Sequence, residues 1–343
     1  RSVSRGLGDV YKRQIVCRVI NGGIISDRKA INVPGVHLSL PFLSDVDRRD
    51  LEFAMKTGFD FFALSFVRCA EDVLEVRRLQ KEHNNTSKLI AKIESQEGVE
   101  NLDAIIDVAD GIMVARGDMG VEIPFEKVPV VQKDMISKCL KSGKFVIVAT
   151  QMLESMTHNP RPTRAEVNDV ANAIFDQTSA VMLSGESAAG DYPVEAVKTM
   201  SRICHEIEKT TTTGKFEITY NGSNLASSIA CAACSIASVI NADAIIPVSL
   251  SGSTIRKVSG FRPNIAIIGC STNERVCRET SLMWGVTPVL ITEQEDGEAL
   301  INEVINKCKT AGVIKSGNRV VIVAGFPLRI AGATNMIRVV DVD

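Results

Sequence analysis

This sequence has almost no excess of one charge. It carries 39 Lys and Arg against 41 Asp and Glu, a formal net charge of −2. Such a balance leaves no electrostatic footprint for nucleic acid. The most basic stretch is residues 1–14, with Arg1, Arg5, Lys12 and Arg13 against Asp9. Long hydrophobic runs are missing too: no segment reaches the ~18–20 apolar residues a membrane helix needs. The best candidate, residues 226–240, is short, made of small residues, and reads as a buried helix. The start has no apolar core of the kind a secretory signal carries. Histidine is scarce. The four, His37, His83, His158 and His205, fall in no metal-binding spacing and no triad, so structural or solvent-exposed roles are expected. The nine cysteines are scattered and odd in number, which argues for reduced core thiols rather than a disulfide framework. Cys231 and Cys234 have CxxC spacing, but inside an apparent helix and without a second pair. The expected compartment is the cytoplasm.

What is present is a chain of 343 residues, 45% hydrophobic and 23% charged, enough for two globular domains. From residue 35, short apolar strands alternate with amphipathic helical segments. The strands expected in the first half are 59–66, 88–95, 110–117, 144–150 and 179–186. Near-continuous apolar strands separated by helices mean parallel βαβ units. Their spacing of about 22–35 residues suits a (β/α)₈ barrel or part of one. After a polar connector the pattern restarts, with strands at 243–249, 264–270, 287–292, 319–325 and 335–342. The fold class is therefore α/β: a partial TIM barrel, about five of eight strands, then a separate α/β C-terminal domain with a mostly parallel five-stranded sheet. Residues 1–14 fit neither pattern and read as a non-native tail. The partial barrel is assigned to 35–213 and the second domain to 216–343.

The chemistry sits at strand ends. In MVARGDMG (113–120) a buried strand runs into a turn that carries Asp118. In AKIESQEGVE (91–100), Lys92 and Glu94 are two residues apart on a strand and point to the same side. In KFVIVATQMLESM (144–156), Thr150 holds the corresponding position. Two carboxylates and a lysine at the ends of neighbouring strands suit a divalent metal and a phosphate. The alternative for each is ordinary: surface acids at loop starts, and a lysine paired structurally with Glu94. In the second half, SLSGSTIRKVSGFRP places Ser249, Ser251, Gly252, Ser253 and Thr254 between a strand and a helix. Hydroxyls and amides there form a phosphate cradle, a weak signal taken alone.

The run AKIESQEGVENLDAIIDVADGIMVARGDMGVEIPFEKV, then VIVATQMLESM, then NPRPTRAEVNDVANAIFDQTSAVMLSGESAAGDYPVEAV, resembles the pyruvate kinase family. The likeness covers roughly residues 15–343. It implies phosphoryl transfer from phosphoenolpyruvate to ADP, giving pyruvate and ATP, in glycolysis. It makes Glu94 and Asp118 ligands of Mg²⁺ (or Mn²⁺) and Lys92 the cation that stabilises the phosphoryl group in flight. Gly117 and Asp118 would offer backbone N–H groups to the substrate carboxylate, with Arg116 beside them holding the loop or reaching across a subunit interface. Thr150 would lie near the carbon that receives the proton, with Gln151 and Glu154 behind it, and Ser65 near a K⁺ site. The loop 249–254, with the later glycine loop 325–335, would hold a phosphorylated activator.

On the same resemblance, the five strands correspond to the fourth to eighth of the barrel, and residues 15–34 to the end of the inserted lid domain. The first three strands and most of the lid would then be missing. The expectation is an inactive fragment of an enzyme that is a homotetramer when complete. Two competing readings are a catalytically dead phosphate-effector-binding remnant and a metal-dependent pyruvate aldolase or lyase. Lys92, the ATQMLESM loop and the second domain speak against the latter.

Overall fold

The computed structural model describes residues 18–24, 26–27, 31–36, 40–211, 224–328, 330 and 333–343. Residues 1–33 and 34–343 form separate units. The described residues of the first are exposed and adopt neither helix nor strand. The proposed tail 1–14, His37, the 214–223 connector and part of the 325–335 loop lie outside the described residues.

The second unit contains two sheets. The first is fully parallel, in the order β1 (Phe61–Leu64), β2 (Lys88–Ile93), β3 (Gly111–Ala115), β4 (Phe145–Ala149) and β5 (Ala180–Met182). The second runs β10 (Thr334–Asp341), β9 (Arg319–Gly325), β6 (Ala244–Pro247), β7 (Ala266–Ser271) and β8 (Val286–Leu290). In it only the β9–β10 pairing is antiparallel. All ten expected strands are present, most of them shorter than the apolar runs that announced them. Runs such as IMVA and FVIVA are apolar at every position because both faces of a parallel sheet are covered.

One face of the first sheet packs on helices, around Leu89, Ile93, Ile112, Val114, Val146 and Val148. The other carries Ile90, Met113, Ile147 and Ala149, with Phe61, Phe145 and Leu282 packed against them. Lys92, Met113, Ile147 and Ala180 form one cross-strand row on this face. Residues two further on face the same way, so Glu94 stands beyond Lys92 at the C-terminal edge of the sheet. At the other edge, a Cβ on Gly111 would lie 2.1 Å from the Phe145 ring. Gly111→Ala is therefore expected to cost about 1–3 kcal/mol through overpacking. A urea midpoint equal to that of the parent would contradict this.

Local signals fix the helix starts. Ser44 and Asp47 form a capping box on helix Asp45–Thr57, and Thr163 and Glu166 form one on helix Arg164–Phe175. The buried helix expected at 226–240 is Leu225–Val239, with Ala230, Ala233, Cys234 and Ala237 inward. Cys234 is a core thiol pushed up to about 12 by burial. Every described cysteine is free, and His83, His158 and His205 are all exposed.

The second sheet and its helices meet the first at the N-terminal ends of its strands. Arg278 forks onto Asp60 (2.8 and 3.2 Å), and Arg275 reaches Ser87 at 3.3 Å. Lys88 faces Glu279 at 3.6 Å. The C-terminal strand ends, where the candidate residues lie, stay free of that contact. In barrel folds that is the face where chemistry is built.

Candidate active site

Four successive strand ends carry the site. After β1 the chain turns through Phe66, which has φ of +53° and whose N–H donates to Glu94 Oε2 at 2.5 Å. After β2 comes Glu94 itself, only 1% exposed. Its Oε1 meets Lys92 Nζ at 2.7 Å, and the same ammonium donates to Ser65 Oγ at 2.9 Å. The buried carboxylate is thus held by one cation and one backbone donor, which is what keeps such a charge tolerable. Lys92 and Glu94 share a face as the strand period requires. Ser65, expected beside a monovalent cation, is here an acceptor for Lys92.

After β3, helix Arg116–Glu122 starts at once and sets Asp118 in its first turn. Asp118 is half-buried, and among the described residues its carboxylate makes no hydrogen bond or ion pair. Gly117 N–H donates to Thr150 Oγ1 at 2.8 Å, so this donor, expected to face a substrate, is engaged within the chain. A Cβ at Gly117 would meet Thr150 only at 3.5 Å, an ordinary contact. Packing alone therefore does not demand glycine there.

After β4, Thr150 and Gln151 both take left-handed backbone, with φ of +70° and +53°. Two such non-glycine residues in succession persist only where neighbours hold them. Arg116 does most of this. Its Nη1 lies 2.7 Å from both oxygens of Asp169, its Nη2 donates to Thr150 O at 2.6 Å, and its Nε to Ala149 O at 3.3 Å. Of the two roles open to Arg116, holding the loop is the one it performs here. Thr150 Oγ1 in turn donates to Ala149 O at 2.6 Å. Gln151 and Glu154 are exposed.

Two further carboxylates pin this loop, and sequence reasoning missed both. Glu186, fully buried, accepts from Leu153 N–H at 3.0 Å and Ser184 N–H at 2.7 Å. Glu166 accepts from Ser155 N–H and Oγ at 2.6 Å each, and from Thr163 N–H at 2.7 Å. The only signal for Glu166 was its capping-box spacing from Thr163. Burial pulls the Glu166 carboxyl up, but the bonds from Ser155 and Thr163 outweigh it and hold it below its ordinary 4.5. A carboxyl depressed in the folded state stabilises above its unfolded pKa, and that contribution is lost as pH falls through the lowered native value. Glu166→Gln is expected to flatten stability on the acid side of about pH 4.5. Parallel pH–stability curves for parent and variant would rule this out.

Residues 6–197 match the family described as pyruvate kinase, barrel domain, and residues 227–340 match pyruvate kinase, alpha/beta domain. A pyruvate kinase of Clostridium acetobutylicum is 46% identical over 329 residues, covering 95% of this chain and 70% of that protein. One from Staphylococcus aureus strain MRSA252 is 44% identical over 334 residues, 96% of this chain and 57% of that protein. The chain belongs to the pyruvate kinase family. The name these relatives carry is that of a phosphotransferase, not of an aldolase or lyase. The barrel-domain match begins at residue 6, inside the stretch set apart as 1–14. Among the described residues no helix is long and apolar enough to cross a membrane.

The second domain holds a cleft of about 640 Å³ including its mouth, lined in part by Ser249, Ser251, Thr254, Gly325 and Thr334. Gly252, with φ of +76°, caps helix Ser253–Gly260, a backbone state that favours glycine. Thr254 is buried, its Oγ1 2.6 Å from Thr334 Oγ1, joining the serine loop to the later glycine loop. Ser253 is not brought into this cleft; its hydroxyl accepts from Lys257 Nζ at 2.7 Å along the helix.

Proposed function

We propose that Lys92, Glu94, Asp118, Gly117 and Thr150 form the phosphoryl-transfer centre of a pyruvate kinase, acting on phosphoenolpyruvate and ADP. The observation that carries the reading is buried Glu94 paired with half-buried Lys92 at the end of β2, with Asp118, unpartnered among the described residues, in the first turn after the neighbouring strand β3. Phosphoryl transfer needs charge neutralisation and alignment more than covalent help. The donor set fits Mg²⁺ or Mn²⁺: two carboxylates, one of them lacking any other partner, with hard oxygens that leave room for water and substrate. When bound, the metal supplies positive charge where the transferred group develops negative charge. Lys92 does the same from the protein side, its ammonium held by Ser65 and Glu94 rather than swinging freely. Arg116 and Glu186 keep the Thr150 loop in its strained form, so that the hydroxyl and Gly117 N–H stand together. K⁺ is proposed to lie near Ser65, whose Oγ accepts here from Lys92 Nζ at 2.9 Å.

The cleft between the serine loop and Thr334 is proposed to take a phosphorylated activator through Ser249, Ser251, Thr254 and nearby amides, with Gly252 shaping the turn and Ser253 outside it. Homotetrameric assembly and cytoplasmic location complete the proposal. The chain spans 57–70% of the two relatives' lengths, and β1 and β5 are edge strands among the described residues. Residues 1–343 alone are proposed to be inactive. Phosphoenolpyruvate-dependent ATP formation by the purified chain would overturn that.

The site itself is tested by Mn²⁺ titration followed by electron paramagnetic resonance. Glu94→Gln and Asp118→Asn are each expected to weaken Mn²⁺ by about tenfold or more, since affinity follows the charge of the ligand set. Binding unchanged in both would remove these residues from the site. Calorimetry with sugar phosphates and AMP tests the second cleft. No heat from any of them on the folded chain would count against it.

A further inference from the structure

The seam between the two sheets holds a second group of basic side chains that the site above does not use. Arg262, just beyond helix Ser253–Gly260, reaches into it. Its guanidinium donates to Ser259 O (3.0 Å), Ser259 Oγ (3.3 Å), Ser179 Oγ (3.1 Å) and Gln177 O (3.4 Å) and stacks on Trp284, 5.2 Å from the ring centroid. Every one of these partners is neutral. Its Nε is buried without an acceptor, and burial unrelieved by any anion lowers the group to about 10. A buried cation without a counter-charge is a costly arrangement that an anion would relieve.

Two more cations border the same small cleft, about 320 Å³ including its mouth. Lys144 Nζ donates to Ala109 O at 2.7 Å, and burial shifts it downward. Arg256 is exposed, and among the described residues its side chain has no partner. Asp110, an acid whose charge acts on Lys144, is already tied to Arg77 and to Leu89 N–H. Asp107 acts on Lys144 only through space. Ser179 and Ser259 add hydroxyls to the wall.

We propose that this cleft binds a phosphate-class oxyanion, free or as a monoester, held by Lys144, Arg256 and the unused guanidinium hydrogens of Arg262. It lies against the N-terminal ends of β4 and β5, away from Lys92 and Glu94, and its lining shares no residue with the cleft around Ser251 and Thr254. An anion there would neutralise charge contributed by both sheets, since Lys144 belongs to one and Arg256 and Arg262 to the other. Occupancy would tighten the seam.

The full chain would be titrated with inorganic phosphate, and separately with glycerol 2-phosphate, at constant ionic strength by calorimetry. Saturable binding is expected, weakened at least tenfold by Arg262→Met and by Lys144→Met. Arg256→Ala, at an exposed position where folding is not at stake, is expected to weaken it severalfold. Ser251→Asp, which places a repelling charge in the other cleft, should leave it unchanged. Binding of the ester alone would identify esters as the ligand, and binding of both would identify free phosphate as sufficient. Absence of binding by either probe, or binding lost with Ser251→Asp and kept in the three cation variants, overturns the proposal.

Discussion

Lys92→Met is expected to move metal binding and catalysis in opposite directions. In this chain Lys92 Nζ sits 2.7 Å from Glu94 Oε1, and the carboxylate is 1% exposed. Removing the ammonium leaves a buried carboxylate with one backbone donor. Metal-free stability should fall by about 3 kcal/mol, in the range seen when one partner of a buried pair is lost. A divalent cation supplies the missing charge, so Mn²⁺ should bind more tightly than to the parent and restore much of that stability. In a complete enzyme carrying the same residues, turnover should drop by about 10²–10³, as when one preorganised transition-state donor is removed. If Lys92 were only a structural partner of Glu94, bound metal would rescue activity together with stability. Rescue of both, or Mn²⁺ affinity unchanged by the substitution, would remove Lys92 from the role assigned here.

Arg116→Met should release the Thr150 loop. The guanidinium is the common partner of Asp169, Ala149 O and Thr150 O, at 2.6–3.3 Å. Its loss strands the Thr150 carbonyl and an Asp169 carboxylate that is about one-third exposed. The exposure reduces the penalty, to about 2–3 kcal/mol against the larger cost of a fully buried broken pair. Thr150 and Gln151 then keep φ of +70° and +53° without the group that over-determines them. Strain of about 1–3 kcal/mol per residue favours relaxation of the loop. Proteolysis within 150–157 should accelerate, and the Gly117–Thr150 hydrogen bond should be lost. Arg116→Lys is expected to rescue little, because one ammonium cannot reproduce a planar fork. A parent-like urea midpoint with an unchanged cleavage rate would mean that Glu186 and Glu166 suffice to hold the loop.

Much of this architecture was legible beforehand. Apolar runs such as IMVA and FVIVA, separated by amphipathic segments, are enough to announce parallel strands, because covering both faces leaves no polar position. Strand period alone put Lys92 and Glu94 on one side. The supports of the site were not legible in the same way. Arg116 and Asp169 are separated by 53 positions, and Leu153 and Glu186 by 33, with no local pattern linking them. The convergence of Lys144, Arg256 and Arg262 at the seam was equally hidden, since two lie after one sheet's strand and the third before another's.

The sequence by itself determined which side chains carry charge to the strand ends and the family to which the chain belongs, because both depend on local order and spacing. Only the tertiary structure decided that Arg116 clamps a strained loop, that Gly117 N–H is held by Thr150, and that the Ser253 hydroxyl is taken up by Lys257. Those outcomes rest on the directions of side chains and backbone donors across distant strands, and direction is set by packing rather than by sequence separation.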